Sequence, residues 1–119
     1  MRSFEFEEIR EHCLDKMHAT EGFPFDGHTC VWKVNGKIFA VADLDEFSGV
    51  TLKCHPERAA ELREQFQGVI PGWHTNKNHW NTVLAESDVS RKLVLELIDH
   101  SYDCVIRGFS KKQQKLLGF

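Results

Sequence analysis

A chain of 119 residues, 41% apolar and 28% charged, is the size of one domain and long enough to bury a core of its own. A formal net charge of -3 and a pI near 6.1 exclude a global positive field, so any nucleic-acid or anionic-lipid role must rest on a local patch. Cys13, Cys30, Cys54 and Cys104, spaced 17, 24 and 50 residues apart, exclude a C-x-x-C pair and the common zinc modules. With a charged, amphipathic N-terminus where a signal peptide would be apolar, the cysteines read as reduced, mostly buried thiols of a cytoplasmic protein. No apolar run reaches the length needed to span a membrane.

In chain order, Phe6, Ile9, Cys13 and Met17 recur at helical spacing, with Ser3 as the expected cap and Thr20 as the expected end. A loop follows over Glu21 to Gly27, whose Phe23 and Phe25 are expected to tuck under the sheet. Thr29 to Val34 and Lys37 to Ala42 flank Asn35-Gly36, the strongest short hairpin signal, because both turn residues need positive φ. A third strand, Val50 to Cys54, completes an antiparallel meander. Pro56 opens a second helix with Ala59, Leu62 and Phe66 as its buried stripe, and Gly68 ends it.

The next stretch, Ile70 to Val83, holds two of the three tryptophans, two of the seven histidines and three asparagines. It reads as a short strand around Trp73, a polar turn at Asn76 to Asn78, and a strand from Trp80 to Ala85. Ser87 or Asp88 caps a final long helix with Leu93, Leu97, Ser101 and Val105 on one face. Gly108 stops it, and Phe109 to Phe119 follows as a basic tail with Lys111, Lys112 and Lys115. The order α-β-β-β-α-β-β-α predicts one α+β domain over 1–119, a two-layer fold with an antiparallel sheet and helices on one face.

Catalytic constellations do not emerge. There is no G-x-S-x-G elbow, and Cys54 and His55, as neighbours on a strand, point to opposite faces. Asp43, Asp45 and Glu46 read as solvated turn residues. His74 and His79 lie close in sequence, with His55 as a possible third, but no cysteine or carboxylate joins them to complete a metal site. Neither G-x-x-x-x-G-K nor G-x-G-x-x-G is present. The chain therefore reads as non-enzymatic, with no cofactor and no metal.

Surface recognition is what remains. Lys53, His74, Asn76, Lys77, Asn78, His79 and Trp80 combine hydrogen-bond donors with an aromatic face. Lys77 is suited to neutralise a phosphate, the Asn and His side chains to bond phosphate oxygens or base edges, and Trp73 or Trp80 to stack on an unpaired base. Trp80 equally suits a core position, with His79 ordering the turn. Lys111 and Lys112 in the tail extend the candidate surface.

Phe23-Pro24-Phe25, the Asn35-Gly36-Lys37-Ile38-Phe39-Ala40 hairpin and Leu52-Lys53-Cys54-His55-Pro56-Glu57 stand in the same order as in the MmcQ/YjbR family, which the chain resembles from about Phe4 to Val105. The most specific parts are Asn76-Lys77-x-His79-Trp80 and Ser101-Tyr102-Asp103. The resemblance implies a fold like that of frataxin-type CyaY proteins and DNA binding through a double wing. Departures are modest: Trp73 stands where a tyrosine is expected, Thr75 where a methionine is, and Cys104 where a leucine is. Two other expectations stand beside DNA: a scaffold that holds a protein partner through the same turn, and iron binding by analogy to frataxin, with Glu5, Glu7, Glu8 and Glu11 as its faint echo. The protein is expected to be a monomer.

Overall fold

The structure, a computed structural model, describes residues 1–73 and 75–119. Its elements run α1 (Phe6–Leu14), β1 (Ala19–Gly22), β2 (Thr29–Val34), β3 (Lys37–Asp43), β4 (Gly49–Lys53), α2 (Pro56–Gln65), β5 (Val69–Pro71), β6 (Trp80–Leu84), α3 (Arg91–Arg107) and α4 (Lys111–Leu116). The strands form one antiparallel sheet in the order β1-β2-β3-β4-β6-β5. The helices pack on one of its faces, with α3 across β3 and β4, so the expected α+β two-layer architecture holds.

The local signals act through their expected chemistry. Asn35 and Gly36 take φ of 47° and 78°, the left-handed pair that a two-residue turn between β2 and β3 requires. Pro56 begins α2, where its missing N–H costs nothing, and His55 caps that helix by accepting from the Glu57 amide at 3.3 Å. On α3, Val94, Leu97, Ile98, Ser101, Tyr102 and Val105 are buried at helical spacing against the sheet.

Several boundaries differ from the sequence expectation, each for a visible reason. Helix α1 ends at Leu14, and His18 at φ 64° reverses the chain into β1, which pairs with β2 as a new edge strand. Met17, expected to extend the buried stripe, is half exposed. The cap of α1 is Glu5, whose amide donates to Glu8 Oε1 at 3.0 Å, while the Ser3 amide is bonded to the Ala85 carbonyl. Ser90, not Ser87 or Asp88, caps α3. Asp88 instead receives the Gln67 and Gly68 amides at 3.0 and 2.8 Å, fastening the α2–β5 turn. The basic tail folds as α4, started by a reciprocal Ser110–Gln113 capping box. The His18 ring meets the Leu117 carbonyl at 2.7 Å, and Phe119 packs edge-on against Tyr102.

The core lies between sheet and helices, with Trp32, Phe4, Phe39, Ile9 and Ile98 among its fully buried side chains. Between β2 and β3 the register passes from Trp32↔Ala40 to Lys33↔Ile38, skipping Phe39. This bulge lets Phe39 and Ala40, neighbours in sequence, both be fully buried. Ser101 of α3 services the irregularity: its hydroxyl accepts from the Lys53 amide at 2.8 Å and donates to the Phe39 carbonyl at 2.5 Å.

Candidate functional site

Strand alternation assigns Val31, Lys33, Ile38, Val41, Thr51, Lys53, Trp80 and Thr82 to the sheet face that the helices leave open. Two loops rise beside that face. The loop over 71–79 is tied down at its base: the Gly72 amide donates to the Trp80 carbonyl at 3.0 Å, and the Trp73 amide to Thr82 Oγ1 at 3.3 Å. Thr82 is itself fully buried and meets Thr51 Oγ1 at 2.8 Å. A Cβ at Gly72 would lie 2.4 Å from Thr75 Oγ1 and 2.9 Å from Trp80 Cβ, so glycine is what allows this closure.

The polar turn expected at Asn76 to Asn78 is present, and it is tight. Asn76 Oδ1 accepts from the Asn78 amide at 2.9 Å, its carbonyl accepts from the His79 amide at 3.1 Å, and the His79 carbonyl receives the Cys54 amide at 2.8 Å. Lys77 turns inward: its ammonium donates to the Gly72 carbonyl, closing the loop on itself. Arg63 of α2 braces the same turn, donating to the Lys77 carbonyl at 3.1 Å and to the buried Asn81 side chain at 2.7 Å. Asn76, Lys77, Asn78 and His79 are exposed, while Trp80 and Lys53 are half-buried partners across β4 and β6. His74, and with it the expected approach of His74 to His79, lies outside the described residues.

The second loop, 23–28, carries the main surprise. Phe23 and Phe25, expected beneath the sheet, are 41% and 70% exposed. Phe25 and Asp26 form one wall of a groove on the open face, and Trp73, Thr75, Asn76 and Trp80 form the other. Ile38, Val41, Thr51 and Gly49 line it as well, and the volume between the loops is about 760 Å³. Among the described residues its charged lining side chains are Asp26, Asp43 and Glu46, all acidic. Beyond Trp80 the sign changes, because a smaller recess of about 400 Å³, lined by Lys37, Lys53, Gly36, Val105 and Phe109, shares that tryptophan. Trp80 is thus a partition between an acid-ended groove and a basic pocket. Lys111 and Lys112 sit exposed on α4, which follows Phe109 of the basic pocket.

The 23–28 loop is pinned by electrostatics. Asp26 accepts from the His28 and Thr29 amides at 2.9 and 2.6 Å, and Asp43 accepts from the Asp45 and Glu46 amides at 2.9 and 2.8 Å. These bonds hold both carboxyls below their ordinary range. The His28 ring bridges them, with Nδ1 2.8 Å from Asp43 Oδ2 and Nε2 3.4 Å from Asp26 Oδ2. The hydrogen bond to Asp43, aided by the charge of Asp26, raises the His28 pKa above its usual 6.5. A raised histidine stabilises the folded loop fully below the unfolded pKa, and that contribution is lost as pH climbs through the folded value. An NMR titration of the His28 ring protons is expected to give a midpoint above 6.5, falling back toward it in Asp43→Asn; an unchanged midpoint in that variant would contradict the bridge.

Neither nucleophile nor metal chemistry gains support. All four cysteines are free, and burial pushes the Cys54 thiol up to about 11. Cys104 lies 3.5 Å from His100 Nε2, but that nitrogen accepts from the His55 amide, and burial lowers the His100 pKa, favouring the neutral ring. Among the described residues no group of three His, Cys, Asp or Glu side chains is placed to hold a metal ion. Three of the four glutamates at the first helix are engaged with arginines, Glu8 of α1 with Arg91, Glu7 with Arg10 and the capping Glu5 with Arg2. Among the described residues no helix is long and apolar enough to cross a membrane.

The turn before Trp80 stands where the sequence places it, with Lys53 across from Trp80, whereas Lys37 and the groove were not among the sequence expectations. One signal was present: Ile38 and Val41 place apolar side chains on the face opposite Ala40 and Ala42, and a strand apolar on both faces has something to shelter on each.

Comparison with known proteins follows the same lines. The YjbR family model matches residues 14–104. The protein YjbR of Escherichia coli (strain K12) is 32% identical over 111 residues, covering 92% of this chain and 94% of that one. YyaQ of Bacillus subtilis (strain 168) is 28% identical over 111 residues, covering 81% of this chain and 93% of its own length. The crystal structure of DR2400 from Deinococcus radiodurans, with its DUF419 domain, superposes with a TM-score of 0.92 at 36% identity, over 98% of this chain and 90% of that one. A protein from Pseudomonas syringae shares the fold, with a TM-score of 0.72 at 23% identity over 85% of this chain and 98% of its own. By the family model and by relatives alike along most of their length, this chain belongs to the YjbR family.

Proposed function

We propose that this protein is a non-enzymatic binding module that contacts nucleic acid with the basic end of its sheet, around Lys37, Lys53 and Trp80. The observation that carries this reading is the recess where the two lysines and the indole meet. Neither lysine forms an ion pair among the described residues. Two ammonium groups beside an aromatic face suit a phosphate backbone with an unpaired base stacked on it. The adjacent Asn76 to His79 turn supplies further polar groups, while Lys77, committed to the Gly72 carbonyl, serves the shape of the turn. Nucleic acid would be kept out of the neighbouring groove by Asp26, Asp43 and Glu46.

The test is a tryptophan-fluorescence titration with short single-stranded and duplex DNA at two salt concentrations. Binding is expected at low salt with a preference for single strands, and log K should fall against log salt with a slope of about -2 for two to three phosphate contacts. Lys53→Ala should reduce the slope by roughly one contact and weaken binding several-fold. No binding at low salt would remove the nucleic-acid reading and leave the scaffold one.

A further inference from the structure

We infer that the groove on the open sheet face is a second binding site, adjoining the basic recess across Trp80, for a small organic cation with an apolar body, an arylalkylamine being the simplest member of the class. Its volume of about 760 Å³ lies within the roughly 300–1,000 Å³ usual for small-molecule sites. Ile38 and Val41 give it an apolar floor, and Phe25, Trp73 and Trp80 bring aromatic rings to its walls. Phe25 and Trp73, at 70% and 47% exposure, are large apolar side chains held out of the core beside a cavity. Their ring faces attract cations through the aromatic quadrupole.

Charge selects the ligand's sign. Every charged lining residue among those described is a carboxylate. Asp26 and Asp43 are fixed by backbone amides and His28. Glu46 is exposed, and its carboxylate makes no hydrogen bond or ion pair among the described residues, so it is the acid available to a ligand. Apolar body and positive head are both accommodated; a phosphate or carboxylate ligand is repelled. A trough bounded by two loops suits a small molecule better than a folded partner, whose interface typically needs about 800 Å² per side.

The experiment titrates the ¹⁵N-labelled full-length chain with phenethylamine, 2-phenylethanol and phenylacetate, which share an aromatic body and differ in charge. Phenethylamine is expected to shift the Val41 and Thr51 amides and the Trp73 and Trp80 indole signals saturably, in roughly the millimolar range for so small a probe. The alcohol and the anion should bind about tenfold more weakly or not at all. Trp73→Ala should weaken the amine about tenfold, and Glu46→Lys should reverse the preference toward phenylacetate. Because Glu46 is exposed, the second variant reports on the site even where the first perturbs the loop. Equal affinity for all three probes, shifts confined to Lys37 and Lys53, or saturation by an arginine-rich peptide but not by the amine would each overturn the inference. Trp80 borders both sites, so the two are told apart by Val41, Thr51 and Glu46→Lys on the groove side and by the salt slope and Lys53→Ala on the basic side.

Discussion

Ser101→Ala is expected to lower the unfolding free energy by about 3 kcal/mol, far more than one hydroxyl in the middle of a helix would suggest. The reason lies in the β3 bulge. Where the register skips Phe39, β3 and β4 pair through Ala40↔Leu52 and Val41↔Thr51, and the next amide along β4, that of Lys53, is met by Ser101. The same fully buried hydroxyl donates to the Phe39 carbonyl. Alanine strands one donor and one acceptor, each costing about 1–3 kcal/mol when left without a partner. Urea denaturation should show a lower midpoint at unchanged slope. A loss under about 1 kcal/mol would mean that a water molecule replaces the hydroxyl. Because Lys53 is anchored through this contact, the variant should also weaken DNA binding by the basic pocket.

Trp32→Ala is expected to cost about 3–5 kcal/mol, a large share of the roughly 5–15 kcal/mol available to a domain. The indole is completely buried, packs at 5.8 Å against Phe6, and donates through Nε1 to Glu21 Oε1 at 3.0 Å. Glu21 in turn takes a two-pronged bond from Arg10, at 2.8 and 3.1 Å, so one tryptophan ties the core to the α1–β1 corner. Trp32→Phe separates packing from bonding: it keeps an aromatic ring and loses the donor, and about 1–2 kcal/mol is expected. Arg10, chiefly, holds the Glu21 carboxyl below its ordinary range. A depressed acid stabilises above its unfolded pKa and loses that contribution as pH falls through the folded value. The gap between wild type and Trp32→Phe should therefore narrow in acid. Thermal denaturation at neutral and acid pH measures it, and a gap that widens would contradict the bond.

What the sequence disclosed was local chemistry. Asn35-Gly36 needs two left-handed residues, Pro56 needs a first helical turn, and the α3 stripe needs a sheet to bury it. Each of these is settled within a few residues. The edge strand β1 escaped notice because Met17 continues the helical stripe in spacing while His18 breaks the helix in conformation. Helix α4 had its signal in Ser110-x-x-Gln113, overlooked because its lysines suggested a tail. The groove was illegible for a different reason. It exists only where residues near 25 and residues near 73 meet over the same strands, and nothing within either segment foretells the other.

The two ends of the sheet bear on how any partner can approach. On one side β1 offers four residues, and on the other β5 offers three and closes with Pro71, which has no amide hydrogen to donate. Short rims of this kind deny an incoming chain a template for strand addition, which protects the folded protein from edge-to-edge aggregation and from runaway polymerisation. Recognition by this domain is thereby directed to its open face and its loops, and a concentrated solution of it should stay free of fibres.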